Sequence, residues 1–175
     1  MSPAASMTPV PSTEPSADLR EKAAQLARTG RTTELLGVIG RGLSVDAADY
    51  KGDGLLMLAA YHGHAETVGA LLAAGADPRL RNAKGLSPLD GAAFKGDLAV
   101  MRALVEGGAE VDAAGPDGRT ALMWATAFNR SAAVEVLLGL GADPGKVDAH
   151  GLRAEDHARA MGASECVRLL ERRGE

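Results

Sequence analysis

Apolar residues recur at i, i+3, i+4 in three stretches of the chain: Val68, Leu71 and Leu72; Met101, Leu104 and Val105; Val134, Leu137 and Leu138. That spacing places them in one stripe of an amphipathic helix, and each stripe lies 33 positions beyond the one before it. A shorter apolar stretch precedes each stripe, led by Leu56, Leu89 or Leu122 and followed by the small pairs Ala59-Ala60, Ala92-Ala93 and Ala125-Thr126. The pattern predicts paired helices, with small residues where neighbouring first helices come close. Glycines punctuate it at the same period: Gly52, Gly85, Gly118 and Gly151 form one series and Gly75, Gly108, Gly141 and Gly174 a second. A third runs Gly63, Gly96, Asn129, Gly162, its one exception being a residue type that tolerates a left-handed backbone. Helix C-termini favour such residues, so each unit reads as a turn, a short first helix ending at the third series, and a second helix ending at Gly75, Gly108 or Gly141.

No single unit can bury its stripe alone, so the units must stack. The register divides the chain into units at 49–81, 82–114 and 115–147, with a shorter copy at 148–175. Projected backwards, it puts Gly30, Val38, Ile39 and Gly42 on helix-end and core positions, predicting a helix pair without a leading hairpin over 18–48. Glu155 and Glu171 replace the leucine-type core residues of the other copies, as the outer face of a last unit requires. A stack of five units with polar ends, complete within the chain, is the expectation. Residues 1–17 carry Pro3, Pro9, Pro11 and Pro15 with little bulky apolar content, and are expected to be a disordered Pro/Ser/Thr-rich tail.

The segments GLSPLDGAAFKGD and GRTALMWA, with turns reading Gly-Ala-Asp or Gly-Ala-Glu, resemble the ankyrin repeat over roughly residues 18 to 175. The resemblance implies an all-α ankyrin-repeat solenoid of stacked helix-turn-helix units with short β-turn or hairpin connections, flanked by capping units at 18–48 and 148–175. Ser87 and Thr120 stand where the family's helix-capping hydroxyl belongs, and Pro88 at the first helical position. The family histidine is replaced by Met57, Asp90, Met123 and Asp156, so any hydrogen bond it makes between units is absent or altered. The resemblance is to small, stand-alone members of the family, and high Ala, Gly and Arg usage fits a GC-rich bacterial genome.

A formal net charge of −4 argues against the broad positive field that nucleic acid or an anionic membrane requires. The first residues lack a basic and an apolar segment and do not read as a secretory signal, and no apolar run reaches bilayer-spanning length. The single cysteine, Cys166, gives no disulfide framework and points to the cytoplasm; set among apolar residues, it reads as a buried structural thiol. His62 and His64 are two apart and diverge, and His150 and His157 have no third convergent ligand, so no metal or cofactor is expected. GLGADPGK at 139–146 lacks the Ser or Thr that must follow a phosphate-loop lysine. No catalytic constellation emerges. The recurring carboxylates Asp49, Asp77, Asp112, Asp143 and Asp148 fall at turns, where they bond local backbone.

The five aromatics, Tyr50, Tyr61, Phe94, Trp124 and Phe128, all fall at a turn tip or on a first helix. In proteins of the resembled family those regions line a concave groove. With Lys51, Asp53, His62, Lys84, Lys95 and Arg119 they make a candidate binding surface of apolar anchors and charged rim. Tyr61, Phe94 and Phe128 are expected to be exposed, whereas Trp124 is as readily placed between units as on the surface. The function that follows is a non-catalytic adaptor, monomeric by itself, holding a protein partner; the alternative is a regulatory subunit or inhibitor that occludes a partner enzyme's active site.

Overall fold

The computed structural model describes residues 17–172. The proposed tail lies outside them except for Ala17, which is already helical, and Gly174 lies outside them as well. Among the described residues there are ten helices: α1 (Ala17–Arg28), α2 (Thr32–Ile39), α3 (Leu55–Tyr61), α4 (Ala65–Ala73), α5 (Pro88–Lys95), α6 (Leu98–Glu106), α7 (Ala121–Ala127), α8 (Ser131–Gly139), α9 (Ala154–Ala160) and α10 (Ser164–Glu171). They form two layers. The odd-numbered helices pack in sequence from α1 to α9, the even-numbered from α2 to α10, and each pair packs on itself. The architecture is an all-α solenoid, its only β element among the described residues being an isolated bridge between Ala48 and Gly54.

The stripes read from the sequence form the core between the layers: Val68, Leu71, Met101, Leu104, Val134 and Leu137 are fully buried, and Leu35, Val38 and Leu170 continue the row at either side. The small pairs of the first helices are also sealed from solvent, which lets α3, α5 and α7 approach closely. Left-handed residues end the helices where the period places them. Gly96 follows α5 with φ +79°, and Asn129 follows α7 with φ 52°. A side chain at Gly96 would also crowd Arg130 Cδ at 3.1 Å.

The two expected helix caps differ. Ser87 begins α5 with a reciprocal box: its hydroxyl accepts from the Asp90 amide at 3.2 Å and donates to Asp90 Oδ2 at 2.8 Å, and the Ser87 amide donates to the same oxygen. Thr120 makes no side-chain cap on α7; its hydroxyl is buried with no partner. A Thr120→Val substitution keeps the shape and removes the unsatisfied group, so it is expected to stabilise the protein by about 1 kcal/mol, measured by urea denaturation.

The turns tie neighbouring units together. The Asp77 amide donates to Asp46 Oδ1 and the Asp143 amide to Asp112 Oδ1, both at 3.0 Å. His64 Nε2 donates to the Arg28 carbonyl at 2.8 Å, joining the first two helix pairs. Within the turns, Asp49 accepts from the amides of Lys51 and Asp53, and Asp148 from those of His150 and Leu152. Glu155 and Glu171, the charged replacements for core leucines, both pair with Arg159 on the outer side of the last helix pair.

Candidate functional site

Four aromatic rings form a row along the first-helix layer. Tyr61 ends α3 and Phe94 sits one period later on α5, so their rings stack at 6.1 Å between centroids. Phe128, one position past that register, meets Phe94 edge-on at 4.2 Å, and Trp124 stacks on Phe128 at 6.3 Å. Tyr61 and Phe128 are 40% and 41% exposed, as the sequence leads one to expect, but Phe94 is only half-exposed because the rings on both sides cover it. Trp124 is also half-buried.

Beside the row lies a cavity of about 460 Å³. Lys51, Asp53, Tyr61, His62, Lys84, Phe94 and Trp124 all line it. Lys95 joins them through Tyr61, its ammonium 4.9 Å from that ring's centroid, and the Arg119 guanidinium sits 5.1 Å from the indole of Trp124. Tyr50 is not brought to the row. It is 78% exposed and lines a separate surface hollow with Asp18, Arg20 and Glu21 of α1. It sits at a turn tip, with the Lys51 ammonium 5.3 Å from its ring centroid.

Sequence reasoning missed the cavity's other walls. Arg28 reaches from α1 to pair with the fully buried Asp49 carboxylate and with Glu21 at 2.8 Å. Asn82 donates to Asp53 Oδ1 at 2.8 Å, and Arg81 donates to Asp90 Oδ2 at 3.1 Å. Gly91 and Met57 complete the floor. The one signal that could have found the cavity is Gly91 itself, because the equivalent positions one period away hold Leu58 and Trp124.

The electrostatics are uneven. Burial pushes the Asp90 carboxyl above its ordinary value, against the opposing hydrogen bonds from Ser87 and the charge of Arg81. His62 is pushed below the ordinary histidine value, first by desolvation and then by the positive charges of His64, Arg28 and Lys95. The groove's acids are engaged: Asp49 with Arg28 and turn amides, Asp53 with Asn82, Asp90 with Ser87 and Arg81. Its lysines are different. No described carboxylate pairs with Lys51, Lys84 or Lys95.

Elsewhere, Cys166 is buried in α10, and burial together with the charge of Glu165 raises its thiol pKa, the opposite of what a nucleophile needs. His157 donates to Asp148 Oδ2 at 2.9 Å and closes the last turn. Among the described residues, no group of three or more His, Cys, Asp or Glu is placed to hold a metal ion, and no helix is long and apolar enough to cross a membrane.

Stacked helix pairs joined by tight, hydrogen-bonded turns, with rings gathered along one layer, define a helical repeat protein. The family model for ankyrin repeats, in three copies, matches residues 56–148, more than half of the chain, and the chain belongs to the ankyrin-repeat family. Human transient receptor potential cation channel subfamily A member 1 is 36% identical over 111 residues, covering 63% of this chain and 10% of that protein. Human SH3 and multiple ankyrin repeat domains protein 2 is 36% identical over 112 residues, or 62% of this chain and 6% of that protein. A putative ankyrin repeat-containing protein of Treponema pallidum (strain Nichols) is 33% identical over 119 residues, 67% of this chain and 40% of that protein. The chain thus spans between 6% and 40% of the length of these relatives. Ankyrin repeats are generally protein–protein interaction modules and generally non-catalytic.

Proposed function

We propose that this protein is a non-catalytic adaptor that holds a protein partner in the groove formed by Tyr61, Phe94, Trp124 and Phe128 and rimmed by Lys51, Lys84, Lys95 and Arg119. The observation that carries this reading is the ring row itself. Four large side chains stay partly open to solvent on one layer while the chain's abundant small and aliphatic residues fill the core. Half-buried aromatics held rigid by their neighbours lose little entropy on docking and make strong anchors. A single, buried cysteine fits a cytoplasmic setting.

The test begins with a partner recovered from the native host and identified by mass spectrometry. A Tyr61→Ala/Phe94→Ala/Phe128→Ala protein is expected to bind that partner at least ~30-fold more weakly while keeping the helical circular dichroism of the parent. Unchanged affinity would remove the groove from the interaction. Where the partner is an enzyme, loss of its activity in one-to-one proportion on mixing would make the protein an inhibitor acting through the same groove.

A further inference from the structure

The interior of α5 contains a glycine that its backbone does not require. Gly91 has helical geometry with no left-handed φ, and glycine in a helix interior costs about 1 kcal/mol relative to alanine. A Cβ at this position would lie at an ordinary 3.7 Å from Tyr61 Cδ2 but at a tight 3.2 Å from Met57 Sδ, so the buried thioether must shift by a few tenths of an ångström to admit it. What the missing side chain leaves is the floor of the 460 Å³ cavity, walled by Met57, Leu58, Tyr61, Phe94 and Trp124. The position is one where the next unit places Trp124 and the preceding one Leu58.

Lys51 and Lys84 line this cavity and Lys95 stands beside it over Tyr61, on a chain whose net charge is −4. Lys51, Lys84 and Lys95 are exposed with no described carboxylate on them, whereas each acid of the same groove has an internal partner, Asp90 through Oδ2 alone. An acidic ligand, disfavoured by the chain's net charge, therefore meets unpaired cations at this groove. The rings also discriminate among acidic ligands. Stacking of nucleic-acid bases needs free ring faces, but Phe94 lies between Tyr61 and Phe128, Lys95 covers Tyr61, and Trp124 lies between Phe128 and Arg119. The open feature is the cavity beside them.

We propose that the groove selects an acidic protein segment that inserts one large apolar side chain over Gly91, between Tyr61, Phe94 and Trp124, while its carboxylates meet Lys51, Lys84 and Lys95. This rests on the groove reading above and names the class of partner it takes. Gly91 sets the depth of the hole and the lysines set the sign of what surrounds it.

Random linear peptides displayed on phage and selected on the full chain provide the test, with selected sequences then synthesised and their affinities measured by fluorescence polarisation. Enriched peptides are expected to be net acidic around a Leu, Ile, Met or Phe. Their affinity is expected to fall at least ~30-fold with Gly91→Leu, which fills the hole, and ~10-fold with the surface pair Lys84→Glu/Lys95→Glu, the latter loss shrinking at high salt. Should Gly91→Leu fail to fold by circular dichroism, Gly91→Ala serves in its place, with a several-fold loss expected and thermal stability no lower than the parent's. Peptides that depend on Phe94 and Phe128 but are neutral or basic, or that ignore substitution at Gly91, would overturn this inference and leave the groove reading standing. Absence of any peptide dependent on those rings would sink both. Tighter binding of a single-stranded oligothymidine than of the selected peptides would also overturn it.

Discussion

Replacing Leu104 with alanine is expected to lower stability by roughly 3 to 5 kcal/mol, enough to leave much of the array unfolded at physiological temperature. Leu104 is completely buried on α6, the central helix of the even-numbered layer, which packs on α4, α5 and α8. The cost has two parts, the lost transfer energy of the isobutyl group and the cavity left behind. In a solenoid each unit is held only by its neighbours, so damage at the centre weakens two interfaces at once. The corresponding change at Leu170, near the edge of the described stack, removes support from one side alone. Urea denaturation followed by circular dichroism should show a single early transition for Leu104→Ala. A loss below 1 kcal/mol would mean that the central stripe is not what holds the units together.

Substitution of Asp148 by alanine is the second large effect, expected at about 2 to 4 kcal/mol from the hydrogen bonds it removes. The carboxylate side chain is inaccessible and accepts from the amides of His150 and Leu152 at 2.8 and 3.0 Å and from His157 at 2.9 Å. Without it the last turn loses its internal frame, and His157 is left buried without an acceptor. The damage should be local, with amide hydrogen exchange rising first in α9 and α10. The same carboxylate governs part of the acid response. Burial works to raise its pKa, but the bonds from Leu152, His150 and His157 outweigh burial and hold it below the ordinary 3.8. A group depressed in the folded state contributes stability that is present above its unfolded pKa and lost as pH falls through the folded one. The parent should therefore lose stability below about pH 4, and Asp148→Ala should lose less over that window. Asp90 has the opposite sign, since burial raises it, so its contribution weakens as pH climbs from its unfolded value through the folded one.

The stacking was legible because it is written in a period. Leu71, Leu104 and Leu137 repeat at a fixed interval and each is sealed in the core; Gly96 and Asn129 repeat likewise, and each takes a left-handed backbone. Such features depend on local conformation and one-face burial, which sequence spacing encodes directly. The groove was legible only in outline. Tyr61 and Phe94 share a register and do stack, but the second ring that covers Phe94 is Phe128, a residue out of register. Tyr50, a turn-tip ring among the same candidates, lines a separate hollow beside α1. The Arg28 to Asp49 pair and the His64 bond to the Arg28 carbonyl join residues from different units through long side chains, whose direction no period specifies. Thr120 stands at a capping position in the period, yet its hydroxyl is buried without a partner.

The row of rings also has a mechanical consequence. Tyr61, Phe94 and Phe128 are anchored on three different units, so anything that grips the first and last of them bridges interfaces that otherwise rely on neighbour-to-neighbour packing alone. Under tension along the chain, an empty array can shed its units one after another from an end. An occupied one has a strut across its middle, and force must first tear that strut free before the central interfaces can part.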